Sequence, residues 1–197
     1  SSQSRGLGDV YKRQLENWSM DSDFFQQMAD WGFDTSEFKA TEFKVVDLIH
    51  PDDTITQAKS PKIAYRIVER GTSEHTIDQG IKRQAIAAGA QIHYKSKVKE
   101  ADCQIIACGP KGTSAVAYGE IFHTTHPNHI AFQLNDKLAP GAYSYLIVID
   151  GVGLICTCLW RKQKKSDRFL NETIAWYDKH YPNLDRQPIK RVGGKGD

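Results

Sequence analysis

The chain has almost no excess of charge and no long apolar run. Its 26 lysines and arginines stand against 24 aspartates and glutamates, a formal charge of +2 over 197 residues, with a pI near 8.3. That balance lacks the basic field that carries non-specific nucleic-acid binding, which goes with a domain pI above about 9. No nucleic-acid partner is expected. The longest aliphatic stretch, Leu146-Ile147-Val148-Ile149, is strand-sized, far below the roughly 18 residues of a membrane span, so the chain reads as soluble. A secretory apolar region is missing at the start, and Cys103, Cys108, Cys156 and Cys158 form no C-x-x-C pair. Both absences point to a reducing cytoplasm. Neither a G-x-S-x-G elbow nor an H-E-x-x-H helix motif is present, which removes two common hydrolase signatures. What remains is 40% apolar residues, enough to build the core of one domain or of one domain and a small second one, and too many for a disordered tail.

Ser1 to Gln14 shows neither helical nor strand periodicity, and Gly8 to Gln14 looks like the in-frame translation of a transposon mosaic end used to prepare sequencing libraries. It is set aside from fold reasoning, with the natural reading frame expected to be cut just before Leu15, its upstream part missing, and broken again at the glycine-rich Gly193 to Asp197. From Leu15 to Phe33, the positions of Phe24, Phe25, Met28 and Trp31 predict an amphipathic helix, N-capped by Asp21 or Ser22 and stopped by Gly32. A strand is expected within Phe38 to Ile49, before the turn at His50-Pro51-Asp52-Asp53, and another over Ile63 to Glu69. Thr76 and Gln79 have the spacing of a capping box and open a helix with Ile77, Ile81, Ala85 and Ala88 on one face, closed by Gly89. Strands are then expected at Gln91 to Tyr94 and Gln104 to Ala107.

Beyond Phe122 the pattern changes to strands at His129 to Leu134, Tyr143 to Ile149 and Gly153 to Trp160, the last two joined by an Asp150-Gly151 hairpin signal. A helix over Asp167 to His180 and a strand at Ile189 to Val192 follow. The predicted class is α/β (α+β): a unit over 15–118 with strand-helix alternation, followed by an antiparallel sheet over 119–197.

Three clusters carry chemistry-bearing residues without a defining motif. Cys156 and Cys158 share a strand face, where small apolar-like residues are ordinary core filler and a redox or metal role is the alternative. His123, His126 and His129 recur every third residue, but Pro127 breaks the helix that would align them, so no metal site is expected. Arg161 to Arg168 forms a basic run that is either a solvated loop or a peripheral contact with anionic lipid or a nucleotide phosphate.

Tyr65 to Gly71, then Thr76-Ile77-Asp78, Ile81, Ala85 and Gly89, resemble the strand, Arg, (S/T)-(I/L)-D and helix of FAD-dependent oxidoreductases. The nearest likeness is to the geranylgeranyl-reductase-like branch of the hydroxybenzoate-hydroxylase superfamily. Ala101 to Pro110 resembles the strand leading to that family's second glycine motif, and Pro140 to Tyr145 its Pro-Gly-x-Tyr-x-aromatic strand. The resemblance implies a partial Rossmann-like FAD-binding domain with a helical insertion, then a substrate domain. It implies Arg70, Val98, Gly109 and Pro110 at the FAD, and Tyr143 and Tyr145 on the wall of a pocket for a small apolar, possibly isoprenoid, substrate, with NAD(P)H as electron donor.

The residues themselves leave alternatives open. Arg70 can pair a pyrophosphate or form a surface ion pair with Asp78 or Glu69; Gly109-Pro110 can serve a plain turn; the tyrosines can be core or edge aromatics. Cys108-Gly109-Pro110 and Ile147-Val148 depart from the Asp-Gly and Phe-Pro of many relatives. A G-x-G-x-x-G turn opening a helix, which this fold needs for the pyrophosphate, does not occur, so the fragment is expected to bind FAD poorly. The same fold also serves flavin monooxygenases and halogenases, and a non-catalytic protein that binds an apolar ligand is the alternative class.

Overall fold

The computed structural model describes residues 12–16, 22–107 and 112–196. Gly109, Pro110 and Ser1 to Tyr11 lie outside the described residues.

The described residues form two sheets and three α-helices. The strands are β1 (Lys12–Glu16), β2 (Ala40–Phe43), β3 (Val45–Ile49), β4 (Ile55–Lys59), β5 (Tyr65–Glu69), β6 (Ala115–His123), β7 (His129–Gln133), β8 (Ser144–Ile149), β9 (Val152–Leu159) and β10 (Gln187–Gly196). The helices are α1 (Phe24–Asp30), α2 (Ile77–Ala87) and α3 (Ser166–His180). A three-stranded sheet has the order β1-β5-β2, and a seven-stranded sheet the order β10-β6-β9-β8-β7-β3-β4.

Strand alternation divides the interior into layers. On β8 every residue is buried, and successive side chains point to opposite faces. Tyr145, Ile147 and Ile149 pack with Phe43 and Ile67 of the smaller sheet. Leu146 and Val148 pack with Leu170, Ile174 and Tyr177 of α3. On the outer face of the smaller sheet, Val68 meets Met28 of α1, Ile77 of α2 and Phe38. The order of layers is therefore α3, larger sheet, smaller sheet, then α1 with α2.

Local chemistry sets the helix ends. Asp23 caps α1 by accepting from the N–H groups of Phe25 and Gln26, in place of the expected Asp21 or Ser22. Asp23 also receives Nε of Arg66 at 3.1 Å, so the cap ties α1 to β5. Thr76 caps α2 through the Gln79 N–H at 3.3 Å. The Gln79 side chain reaches Gly71 O at 3.3 Å and not the Thr76 N–H, so only half of the capping box forms. Between β8 and β9, Asp150 (φ 51°) and Gly151 (φ 77°) make the two left-handed steps that a type I′ hairpin requires.

Several expectations are corrected. The larger sheet is not purely antiparallel, because β3 pairs parallel with β7. It is also not confined to 119–197: β3 and β4 come from the earlier half, and β6 crosses the expected 118/119 boundary. Gln91 to Tyr94 and Gln104 to Ala107 form no strand, and Ile105 is 86% exposed. A strand needs a neighbouring ladder to satisfy its N–H and C=O groups, and no described strand pairs with either segment. Lys12 to Gln14, set aside from sequence, continue β1 beside β5. Edge pairing is a main-chain interaction, so absent side-chain periodicity did not exclude it.

Candidate functional site

The feature most like a ligand wall is a group of aromatic rings on the side of the larger sheet that faces the smaller one. Tyr143 immediately precedes β8 and Tyr145 lies within it; the period of two puts them on one face, with ring centroids 6.1 Å apart. Phe132 of β7 lies 6.1 Å from Tyr143 and 6.3 Å from Tyr145, and Tyr65 of β5 lies 5.1 Å from Phe132. Those spacings fall in the range in which aromatic pairs attract. Tyr145 is 6% exposed and Tyr143 37%, so the group runs from the core to an open edge. A separate cleft of about 470 Å³ is lined by Leu134, Asn135, Asp136, Lys137, Gly141 and Ala142 and by none of the four rings.

Arg70 follows β5 and is held in two places. Its Nε and Nη2 donate to Asp78 Oδ2 and Oδ1, both at 2.6 Å, and the Gly71 N–H donates to the same Oδ2 at 2.8 Å. The Thr76 hydroxyl donates to Gly71 O at 2.9 Å, closing the turn between β5 and α2. Asp78 hydrogen bonding holds Arg70 more firmly protonated. For Asp78, burial opposes ionisation, but Arg70 and Gly71 outweigh it and leave the carboxyl below its ordinary value. Only Nη1 of Arg70 lacks a partner among the described residues. Val98 stands apart from regular structure and is 59% exposed. The structure thus joins Arg70 to Asp78 and Tyr143 to Tyr145, with Tyr65 and Phe132 as unforeseen members of the second group.

A second constellation was missed in the sequence. Asp47 of β3 and His129 of β7 share the α3 side of the larger sheet, with His129 Nε2 at 3.1 Å from Asp47 Oδ2. The Tyr181 hydroxyl, just past α3, donates to the same oxygen at 3.1 Å. The His126 ring stands 5.3 Å from that of His129. A cleft of about 370 Å³ borders Asp47, His129, Asn128 and Gln57. Among the described residues no group of three or more His, Cys, Asp or Glu is placed to hold a metal ion. The available signal was an aspartate inside the apolar run Val45 to Ile49, since a half-buried carboxylate on a strand calls for a partner.

Burial is the main force lowering the His129 pKa below its ordinary 6.5; Asp47 opposes it and His126 adds to it. The neutral ring is therefore favoured in the fold, whereas the unfolded chain takes up a proton near the ordinary value. Stability from this site is fully present above about 6.5 and is lost as pH falls through that value towards the lowered folded one. Denaturant midpoints measured across that window should fall with pH, and His129→Gln should flatten the fall. An unchanged slope in the variant would assign the titration elsewhere.

No family model matches the chain, and no curated protein matches it. Among solved structures, it is similar to a geranylgeranyl bacteriochlorophyll reductase-like protein from Thermoplasma acidophilum, with a TM-score of 0.62 and 17% identity. The likeness shows the fold. It covers 96% of this chain and 56% of that protein, so the chain spans little more than half the length of its structural neighbour. Among the described residues no helix is long and apolar enough to cross a membrane.

Proposed function

We propose that this chain is part of a flavin-dependent oxidoreductase acting on a small apolar substrate, with an isoprenoid as the first class to test. The observation that carries the reading is the aromatic wall of Tyr65, Phe132, Tyr143 and Tyr145, on a sheet within a reductase-like fold. Large rings, three of them with hydroxyl tips, suit an apolar ligand that must be oriented and shielded from water. In this reading the three-stranded sheet with α1 and α2 contributes to the cofactor unit, the seven-stranded sheet with α3 to the substrate unit, and NAD(P)H supplies the electrons.

The residues present do not by themselves build an FAD site. Asp78 occupies two edges of the Arg70 guanidinium, and α2 opens on the capping Thr76 with Asp78 in its first turn, which repels a pyrophosphate there. A flavin protein containing this chain would have to hold the pyrophosphate on a G-x-G-x-x-G segment elsewhere. The exposed Ile86, Ile92, Val98, Ile105 and Ile106 suit burial beneath such a segment. The two-point hold on Arg70 favours one other reading, a non-catalytic protein that binds an apolar ligand. Arg161 and Arg168 are engaged by Asp136 and Glu172, so a peripheral contact with anionic lipid would rest on Lys162, Lys164 and Lys165.

The test is to express the complete natural reading frame beside the 197-residue chain and to desalt both. Flavin absorbance retained by the complete protein and bleached by NAD(P)H under nitrogen is expected, with none on the chain alone. Oxygen consumption on readmitting air would move the assignment to a monooxygenase or halogenase. A complete protein that retains no flavin and binds a fluorescent apolar probe would overturn the oxidoreductase reading and leave the binding protein.

A further inference from the structure

The larger sheet ends in two edge strands, β4 and β10, each paired on one side only among the described strands. An edge of this kind presents main-chain N–H and C=O groups that another strand can take up. β10 carries Lys190, Arg191 and Lys195 and no acidic residue, so a second β10 laid against it would bring like charges together. The other edge carries both signs. Asp52 and Asp53 precede β4, Lys59 ends it and Lys62 follows it, and all four are exposed. Asp52 binds the Thr54 hydroxyl and Asp53 the Trp176 indole, neutral groups that leave both charges in place.

The ladder between β3 and β4 fixes which main-chain groups of β4 point outward. The Ser60 N–H donates to Lys44 O at 2.8 Å, and the His50 N–H to Thr54 O at 2.9 Å. Between those bonds the register pairs Val46 with Ala58 and Leu48 with Thr56. Hydrogen-bonded positions alternate along an antiparallel pair, so Thr54, Thr56, Ala58 and Ser60 turn their main-chain groups to β3. Ile55, Gln57 and Lys59 turn theirs away from the sheet. This outward set is symmetric about Gln57. A second β4, laid antiparallel across a two-fold axis at Gln57, matches Ile55 with Lys59 of the second copy and Gln57 with its own counterpart, and each such pair exchanges two hydrogen bonds.

We propose that β4 is a self-pairing edge, through which two copies of the chain join their larger sheets about a two-fold axis. The charges select this partner. Antiparallel pairing sets the Asp52-Asp53 end of each strand against the Lys59 to Lys62 end of the other, with Asp52 opposite Lys62 and Asp53 diagonal to Lys59. The two-fold axis repeats that match on the other side. The Lys59 stem then lies over Ile55 of the second copy, which is 44% exposed in the single chain. The ladder is bounded at both ends, because Pro61 has no N–H to give and Asp53 takes a left-handed backbone, φ 68°. A contact this short belongs with the weak, reversible interfaces. The inference does not depend on the flavin reading.

The test uses the 197-residue chain. Sedimentation at rising concentration should show a monomer–dimer equilibrium, weakened about tenfold or more when Lys59→Glu and Lys62→Glu are combined, since acid then faces acid. Asp52→Lys with Asp53→Lys should weaken it likewise, and an equimolar mixture of the two charge variants should dimerise again. Amide hydrogen exchange supplies a readout at single residues. Protection at Ile55, Gln57 and Lys59 should rise with concentration, whereas Thr56 and Ala58 stay protected throughout. A chain that remains monomeric at millimolar concentration overturns the proposal, as does a dimer indifferent to both charge reversals. Protection of the three outward amides that does not change with concentration overturns it as well, because their cover then lies within one chain.

Discussion

Replacing Arg186 with alanine should destabilise the protein by about 3 kcal/mol, within the range found when one partner of a buried ion pair is removed. Arg186 follows α3 and is largely buried, and its Nη1 is paired with Glu120 of β6. Its Nε and Nη2 donate to Asp178 of α3 at 3.0 and 2.8 Å, while the guanidinium lies 5.8 Å above the Phe122 ring. Glu120 is 7% exposed. Its other cation, Arg191 of β10, reaches it at 3.4 Å and is shared with Asp167 and Asn171 of α3. One carboxylate thus ties β6, α3 and β10 together through two arginines. Without Arg186 it keeps only the longer, divided bond, and a buried charge with poor compensation is costly. The expected drop in Tm is about 6–12 °C. Glu120→Leu combined with Arg186→Met should recover most of the loss, because no charge is then left stranded. A loss below about 1 kcal/mol for Arg186→Ala, typical of exposed pairs, would show that solvent reaches Glu120.

What could be read in advance follows the range of the interaction concerned. The hairpin at Asp150-Gly151, the Thr76 cap and the shared face of Tyr143 and Tyr145 depend on neighbours in sequence and were legible there. The strand β6 was not. Gly119 and Glu120 interrupt its apolar pattern, and both are explained only by distant partners. A Cβ at Gly119 would stand 2.8 Å from the Ile155 carbonyl oxygen, and Glu120 is neutralised by Arg186 and Arg191. The segments at Gln91 to Tyr94 and Gln104 to Ala107 failed in the opposite way, since they carry strand composition without a described strand to pair with. Tyr65 and Phe132 complete the aromatic wall only because the two sheets stack. Asp47 and His129 meet only because β3 inserts parallel to β7, a pairing that no local pattern announces. The candidate site was thus half legible: its tyrosines through strand period, its other rings and the Asp47–His129 pair only through the fold.

The second large effect concerns Phe122 and Gly153, directly opposite each other on β6 and β9. The Phe122 ring is 0% exposed and lies across Gly153 in the space a side chain would take, so an added Cβ would overlap three ring carbons. Gly153 is not there for a left-handed backbone; it makes room for the ring, an aromatic-over-glycine arrangement that offsets the weak strand propensity of glycine. Phe122→Ala should therefore cost about 3–5 kcal/mol through lost burial and a cavity between the sheet and α3. Gly153→Ala in the natural background should cost about 1–3 kcal/mol, because the ring has to leave its rotamer in a packed interior. The decisive result is the double variant. With the ring gone, the new methyl enters the space it left and alanine fits the strand better than glycine, so Gly153→Ala should become neutral or stabilising. Such a reversal of sign is non-additivity between residues in contact. If Gly153→Ala costs the same with and without Phe122, the glycine is required by the β9 backbone and the ring is not its reason.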